Sequence, residues 1–405
     1  MTSPILESEF LQRQHRAVER AAEQGFDALL VWSRGGTSVD FYGDVMYLAN
    51  HHSPFPPNQD TTQWSGRSYS ALIMPVDGEP TLVVDLPDYD PNEIHVEDVR
   101  SVLHVPQAAA AALREKGLDR KRIGLVGRDS LLLSHLRSIE QELGHSPQLV
   151  PADEILEQLR LVKSDAELEL VRHASNVGNR WMRAMMEAIE PGRTEGEVVG
   201  EGLRVLAAEG GFPYDAAFAS GNRASNFFSR NQIPSWDARK VLEAGSLAHV
   251  DAWGAVNGYF LDLDRSTVVG GKPTDRQREV LEAAIAIVEH LIAGVRPGVR
   301  VGELYDRGAS WLLDNGFGEH RAELGEAGTD FGQLFPAFGH SVGLGLERPF
   351  VIEGEQTALE PNMVFALEAL IGHKDVGGAA FEHTLIVTSD GAEVLNADCP
   401  ARWWD

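Results

Sequence analysis

Residues 191–210 and 297–316 echo one another at a constant offset of 106. The first stretch reads PGRTEGEVVGEGLRVLAAEG and the second PGVRVGELYDRGASWLLDNG. Seven positions match: Pro191/Pro297, Gly192/Gly298, Gly196/Gly302, Glu197/Glu303, Gly202/Gly308, Leu206/Leu312 and Gly210/Gly316. Each copy follows a long helical pattern (166–189 and 275–294), supplies a helix of its own and leads towards strands. The simplest fold for such a chain is two similar α+β halves related by a pseudo-twofold axis. The competing explanation is that Gly and Pro recur at helix ends for capping reasons.

The strands beyond each copy carry unusual charge. Residues 247–269 (LAHVDAWGAVNGYFLDLDRSTVV) read as a hairpin, because Asn257-Gly258 suits a type I′ turn, in which both central residues need φ > 0. A two-residue turn places Asp251 opposite Asp264, with Asp262 diagonal on the same face. Three carboxylates that close repel unless a cation lies between them. The alternative is a solvated acidic face. His340 sits among glycines in FGHSVGLGLERPF (338–350), where a satisfied core histidine is the bland reading. Glu368 and Glu382 each interrupt an apolar strand, 361–372 and 378–391, in which Lys and Arg are nearly absent. Buried carboxylates need partners. One imidazole and four carboxylates (Asp251, Asp262, His340, Glu368, Glu382) make a ligand set for two divalent metals.

The first third alternates strand patterns at 27–33, 70–76, 81–86 and 122–127 with helical patterns at 8–25, 107–117 and 131–143. This predicts a smaller α/β domain over 1–155, followed by the α+β domain over 156–405. Residues 152–165 read as the connection, and Ser164-Asp165 carries a capping signature for the next helix. A long polar and aromatic loop, 51–69, reads as functional or disordered. A net charge of −26 argues against nucleic acid or an anionic membrane as partner. The single cysteine, Cys399, forbids an intrachain disulfide, and the N-terminus lacks a signal-type apolar run. No segment reaches the roughly 18 apolar residues of a membrane span. These features lead us to expect a cytoplasmic protein.

In order and local motif, these residues resemble the creatinase/aminopeptidase P/prolidase family, the M24-like pita-bread metallohydrolases, over roughly residues 155–395. Two aspartates eleven apart flank a Gly-Tyr hairpin (Asp251, Gly258-Tyr259, Asp262). A Gly-His-x-x-Gly-Leu motif holds His340, Pro361-x-Met-Val leads to Glu368, and Glu382 precedes LIVTSDG. The resemblance implies a pita-bread catalytic domain and two divalent ions, commonly manganese, with cobalt, iron or zinc as options. Asp251 would bind one ion, Asp262 and Glu382 would bridge both, and His340 and Glu368 would complete the second site. A bridging hydroxide would attack, with Glu368 as the catalytic proton shuttle.

The chain also departs from the family pattern. Peptidase members carry a second histidine seven residues past the metal histidine, where Glu347 stands here. They carry another before the acidic hairpin, where 211–245 contain none but include Asn226 and Asn231. The arginine two residues before the last glutamate is Ala380, and the small hydroxyl residue two past the second aspartate is Asp264. WSGRSYSALIM (64–74) and Glu382-His383 resemble creatinase. These departures point to a C–N bond in a small, non-peptide amide, in a substrate that could bear a carboxylate. An Xaa-Pro dipeptidase or aminopeptidase and a metal-dependent lyase on an osmolyte-like molecule are the alternatives. Trp64, Arg67, Glu347 and Arg348 are candidate substrate contacts, with a structural ion pair as the competing role for each arginine. The 51–69 loop and its Gly-Arg stretch suggest a homodimer in which this loop completes the partner's site.

Overall fold

The computed structural model describes residues 5–36, 43–53, 55–85, 89–224, 233–317, 331–333, 336–373 and 376–404. Asn226 and Asn231 lie outside them. The chain divides into two compact units, Met1–Leu161 and Val162–Asp405.

The first unit runs α1 (Glu7–Glu23), β1 (Ala28–Arg34), α2 (Gly43–Ala49), β2 (Tyr69–Pro75), β3 (Thr81–Val84), β4 (Asp98–Ser101), α3 (Val105–Glu115), β5 (Arg122–Val126), α4 (Leu133–Leu143), β6 (Gln148–Pro151) and α5 (Asp153–Leu161). Its strands form one mixed sheet in the order β4-β3-β2-β1-β5-β6. Central β1 is buried on both faces, which explains its unbroken apolar run ALLVW. Leu30, Trp32, Ile73, Val83 and Ile123 pack with Val105, Ala109, Leu113, Ile139 and Leu143 of α3 and α4 in one core. The stretch 152–165 is more than a connection, since most of it forms α5.

The second unit contains two similar halves. In the first, α6 (Asp165–Glu187) and α7 (Glu195–Ala208) accompany an antiparallel sheet of β7 (Gly211–Ser220), β8 (Leu247–Val256) and β9 (Tyr259–Val268). In the second, α8 (Asp275–Ile292) and α9 (Val301–Asp314) precede β10 (Phe331–Gln333), β11 (Gly339–Val342), β12 (Leu346–Phe350), β13 (Val364–His373), β14 (Gly377–Val387) and β15 (Ala392–Val394). These strands form a sheet in the order β12-β11-β13-β14-β15, with β10 also paired to β13. The long helix of each half lies on that half's hairpin, α6 on β8 and β9, α8 on β13 and β14.

The expected echo is present in the backbone. Helices α7 and α9 begin and end at the same offset of 106. Gly192 and Gly298 adopt φ of 90° and 86°, and Gly210 and Gly316 adopt 75° and 79°. The residue before each helix makes an isolated antiparallel bridge, Thr194 to Val241 and Arg300 to Ala358. The matched Gly202 and Gly308 have a packing role: a Cβ at the first would run into Met185 and Trp181, and at the second into Phe338. Local signals also hold. Ser164 and Glu167 close a capping box at the start of α6, as Thr194 and Glu197 do for α7. No helix of the described residues is long and apolar enough to cross a membrane.

Candidate metal centre

Asn257 and Gly258 both take positive φ, 52° and 83°, so the β8–β9 turn has the type I′ sign pattern that its sequence demands. That turn sets the register. Asp251 pairs directly with Asp264, and Asp262 pairs with Trp253, two positions along. The β13–β14 hairpin repeats the device, because Glu368 pairs directly with Glu382. Strand β9 lies against β14, and polar side chains stitch the two together. Thr384 Oγ1 donates to the Asp262 carbonyl (3.1 Å), and Ser266 Oγ donates to the Ala380 carbonyl (2.9 Å) while accepting from its N–H (2.8 Å).

His340 enters from β11, which pairs with β13. Its predecessor Gly339 has φ of 126° and lies against the Ala366 carbonyl, where a Cβ could not fit. This close approach seats the imidazole. His340 Nδ1 is 3.1 Å from the Ser341 carbonyl, which can only accept, so Nδ1 carries the proton. Nε2 faces two carboxylates: it lies 3.4 Å from Asp262 Oδ2 and 3.9 Å from Glu368 Oε1. A histidine tethered at one nitrogen and open at the other is set up as a metal ligand.

Asp251, Asp262, Asp264, His340, Glu368 and Glu382 are all at least nine-tenths buried. Among the described residues, no Lys or Arg side chain pairs with any of the five carboxylates. Arg265, next to Asp264 in sequence, is spent on backbone. Its guanidinium donates to the carbonyls of Asp264, Glu382, Asn396, Cys399 and Pro400. Pairing of Arg265 with the Asp264 carboxylate, one neutral role for that aspartate, is therefore not what the structure contains. Asp251 Oδ1, both oxygens of Asp264 and Glu382 Oε1 are buried with no hydrogen-bond partner among the described residues. Orphaned buried carboxylate oxygens are costly, and a cation is the partner they lack.

The electrostatics agree. Burial, then mutual repulsion, pushes Asp251, Asp264 and Glu382 well above the usual carboxylate range. Burial also raises Asp262, although His340 opposes it. Glu368 is lifted to about 7, by burial first, with His340 opposing and Asp262 adding. Burial disfavours charge on His340, but Asp262 and Glu368 outweigh it and hold the imidazole above its ordinary value. Donor atoms fall into two groups, Asp262/His340/Glu382 and Asp251/Asp264/Glu382, each with its atoms within 4.8 Å of one another. Glu382 belongs to both. The residues present thus fit a pair of divalent ions.

The candidate substrate contacts are more dispersed. Trp64 and Arg67 belong to the first unit. Arg67 Nε lies 3.4 Å from Asp85 Oδ2, and its guanidinium stacks over Phe55 at 4.7 Å and Trp64 at 6.0 Å. Glu347 is tied on both oxygens, accepting from Leu344 N–H (3.0 Å) and from buried Lys163 Nζ (3.1 Å). Arg348 is exposed on β12. Sequence reasoning missed the Lys163–Glu347 pair and the Arg265 clamp. Partners so far apart along the chain leave no local signal.

Comparison with known proteins places this geometry. The family model described as Metallopeptidase family M24 matches residues 169–389, and that of the Creatinase/Prolidase N-terminal domain matches 13–162. An Xaa-Pro dipeptidase of Pyrococcus furiosus is 27% identical over 247 residues, 60% of this chain and 65% of that relative. The match thus spans just under two thirds of that relative's length. Creatinase of a Bacillus species (strain B-0618) is 24% identical over 411 residues, covering 95% of this chain and 90% of its own. The solved structure of dipeptidase PepE from Mycobacterium ulcerans superposes with a TM-score of 0.74 at 25% identity, over 97% of this chain and 96% of its own.

Proposed function

Because this chain belongs to metallopeptidase family M24, we propose that it is a dinuclear metal-dependent hydrolase that cleaves the C–N bond of a small Xaa-Pro dipeptide, with manganese as the preferred metal. The observation that carries the dinuclear reading is the two donor groups sharing Glu382. The peptide reading rests on relatives described as dipeptidases. They favour it over the non-peptide substrate that the departures in sequence suggested.

Asp251, Asp262, His340, Glu368 and Glu382 would hold the ions. Bound divalent ions supply Lewis acidity, polarising a scissile carbonyl and making water more acidic. The chain's own residues orient and move protons. Glu368 Oε1 lies 3.9 Å from His340 Nε2, at the edge of the centre where a proton can be exchanged. It takes a proton from the attacking water and delivers it to the leaving nitrogen as the C–N bond breaks. The Ser341 carbonyl keeps the His340 ring in one tautomer throughout.

A non-peptide amide is the second reading. Creatinase matches nearly the whole chain, and Glu347, standing where peptidase members carry histidine, is neutralised by Lys163. Elemental analysis followed by assays on Gly-Pro and Ala-Pro dipeptides with added manganese separates these readings. Metal-loaded protein without dipeptide turnover would sink the peptidase proposal, and turnover of small amides would establish the second. A lyase is told apart by product analysis in labelled water, since only hydrolysis incorporates solvent oxygen. We also propose a homodimer completed by the 51–69 loop, with Trp64, Arg67 and Arg348 as substrate contacts. Full activity in a monomer across dilution would refute the dimer.

A further inference from the structure

Asp264 stands where the resembled family has a small hydroxyl residue, and its side chain has no evident structural occupation. It is 1% exposed, and among the described residues neither carboxylate oxygen has a hydrogen-bond partner. Its backbone is fixed on both sides, by the ladder pair with Asp251 and by the Arg265 guanidinium on its carbonyl (2.7 Å). The carboxylate is therefore aimed into the centre. A donor atom of Asp264 lies within 4.8 Å of donor atoms of Asp251 and Glu382. A lone buried acid usually finds a donor or a cation. Among the described residues, the donor atoms grouped with this one are those of two other acids, Asp251 and Glu382.

We propose that Asp264 is a sixth protein ligand, and that the two metal subsites differ in chemical hardness. This rests on the dinuclear reading above. Asp251, Asp264 and Glu382 form an all-carboxylate subsite, whose oxygen donors suit hard cations, Mg²⁺ or Mn²⁺, better than a site with an imidazole does. Asp262, His340 and Glu382 form a mixed subsite, whose imidazole suits borderline ions such as Zn²⁺ or Fe²⁺. With five carboxylates, the centre stays net negative even with two divalent ions, and this deepens the preference for charge-dense cations at the all-oxygen end.

The test is calorimetric titration of chelator-stripped protein with Mn²⁺ and, separately, Zn²⁺, on the wild type, Asp264→Asn and Asp264→Thr. Melting of each stripped variant reports folding. Neutralising a buried unpaired acid should leave the melting point of the stripped protein unchanged or higher. The wild type is expected to bind two Mn²⁺, with a ratio of Mn²⁺ to Zn²⁺ affinity markedly higher at one site than at the other. Both variants should lose about tenfold or more in affinity for that one ion, in the range set by loss of a metal-supporting group. The other ion should be unaffected. Folded variants that bind two Mn²⁺ with wild-type affinity and selectivity would overturn the role of Asp264 while leaving the dinuclear reading standing. A wild type that binds no metal would overturn both. Asp264→Glu, which keeps the carboxylate, should retain two ions if Asp264 is a ligand, and identical binding by the neutral and the anionic variants would speak against it.

Discussion

The β8–β9 and β13–β14 hairpins solve the same backbone problem with different chemistry. Each sets one carboxylate directly opposite another, Asp251 against Asp264 and Glu368 against Glu382. Each lies under its own half's long helix. The first hairpin adds a third acid, Asp262, while the second gains an imidazole from the strand beside it, His340 on β11. The duplicated frame is thus close to symmetric and the donor set is not. Repetition supplies two rigid ladders in register, and the identity of a few side chains then makes the two ends of the centre unlike.

The strongest way to break this comparison is to remove what the hairpins share. Glu382→Ala takes a donor from both groups. It should abolish binding of both ions and lower kcat/KM by more than the ~100-fold typical of losing a supporting residue. Elemental analysis that still finds two ions would show that the hairpins do not share Glu382.

Glu368→Gln should act next most strongly. Loss of a general acid–base typically costs ~100- to 10,000-fold in rate. The loss should appear in kcat, measured with saturating manganese, with a smaller change in metal affinity. A fall in KM-dependent terms alone would assign Glu368 a binding role only.

Stripping the metal sharpens the electrostatic half of the comparison. Asp251, Asp264, Glu368 and Glu382 all have pKa values raised by burial. The folded apoprotein therefore holds protons that the unfolded chain has already released. Its stability is largest at low pH within this window, and it falls as pH rises from the ordinary carboxylate range through about 7, the value for Glu368. Melting of chelated protein should drop between pH 5.5 and pH 8, and saturating metal should remove most of that slope. A flat apoprotein profile would mean that the acids are not packed together without metal.

The smallest expected effect concerns the Asn257-Gly258 turn of the first hairpin. Gly258→Ala forces a Cβ into a left-handed position and should cost about 1 kcal/mol. Thermal melting of the metal-bound protein reads it. Any accompanying loss of metal affinity would show that the register of Asp251 and Asp264 depends on this turn.

The parts legible from sequence were those with a local physical signature. Asn257-Gly258 announced a register, Ser164 and Glu167 announced a helix start, and the 106-residue echo announced two halves. Glu368 and Glu382 stood out because apolar strands seldom carry an unpaired acid. Other elements lacked any such mark. Helix α2 is a single seven-residue segment with no room for a periodic pattern. Strands β4 and β6 are four residues long and only partly buried, so they show no apolar run. Helix α5 was read as a connection because its polar residues masked Ile155, Leu156 and Leu159, which are buried. Long-range polar ties were invisible for a different reason. Arg265 follows Asp264 directly in sequence, yet carbonyls from distant segments claim its guanidinium.

The Arg265 clamp also bears on when the centre can form. Its acceptors include the carbonyls of Glu382, Asn396, Cys399 and Pro400. During synthesis, Asp251 and Asp262 leave the ribosome long before Glu382 and the residues that hold β14 beside β9. A nascent chain that has reached only the first hairpin carries a cluster of acids with neither imidazole nor shared ligand. The centre thus depends on contacts between segments far apart in the chain, since the guanidinium beside Asp264 is held by carbonyls as distant as Pro400.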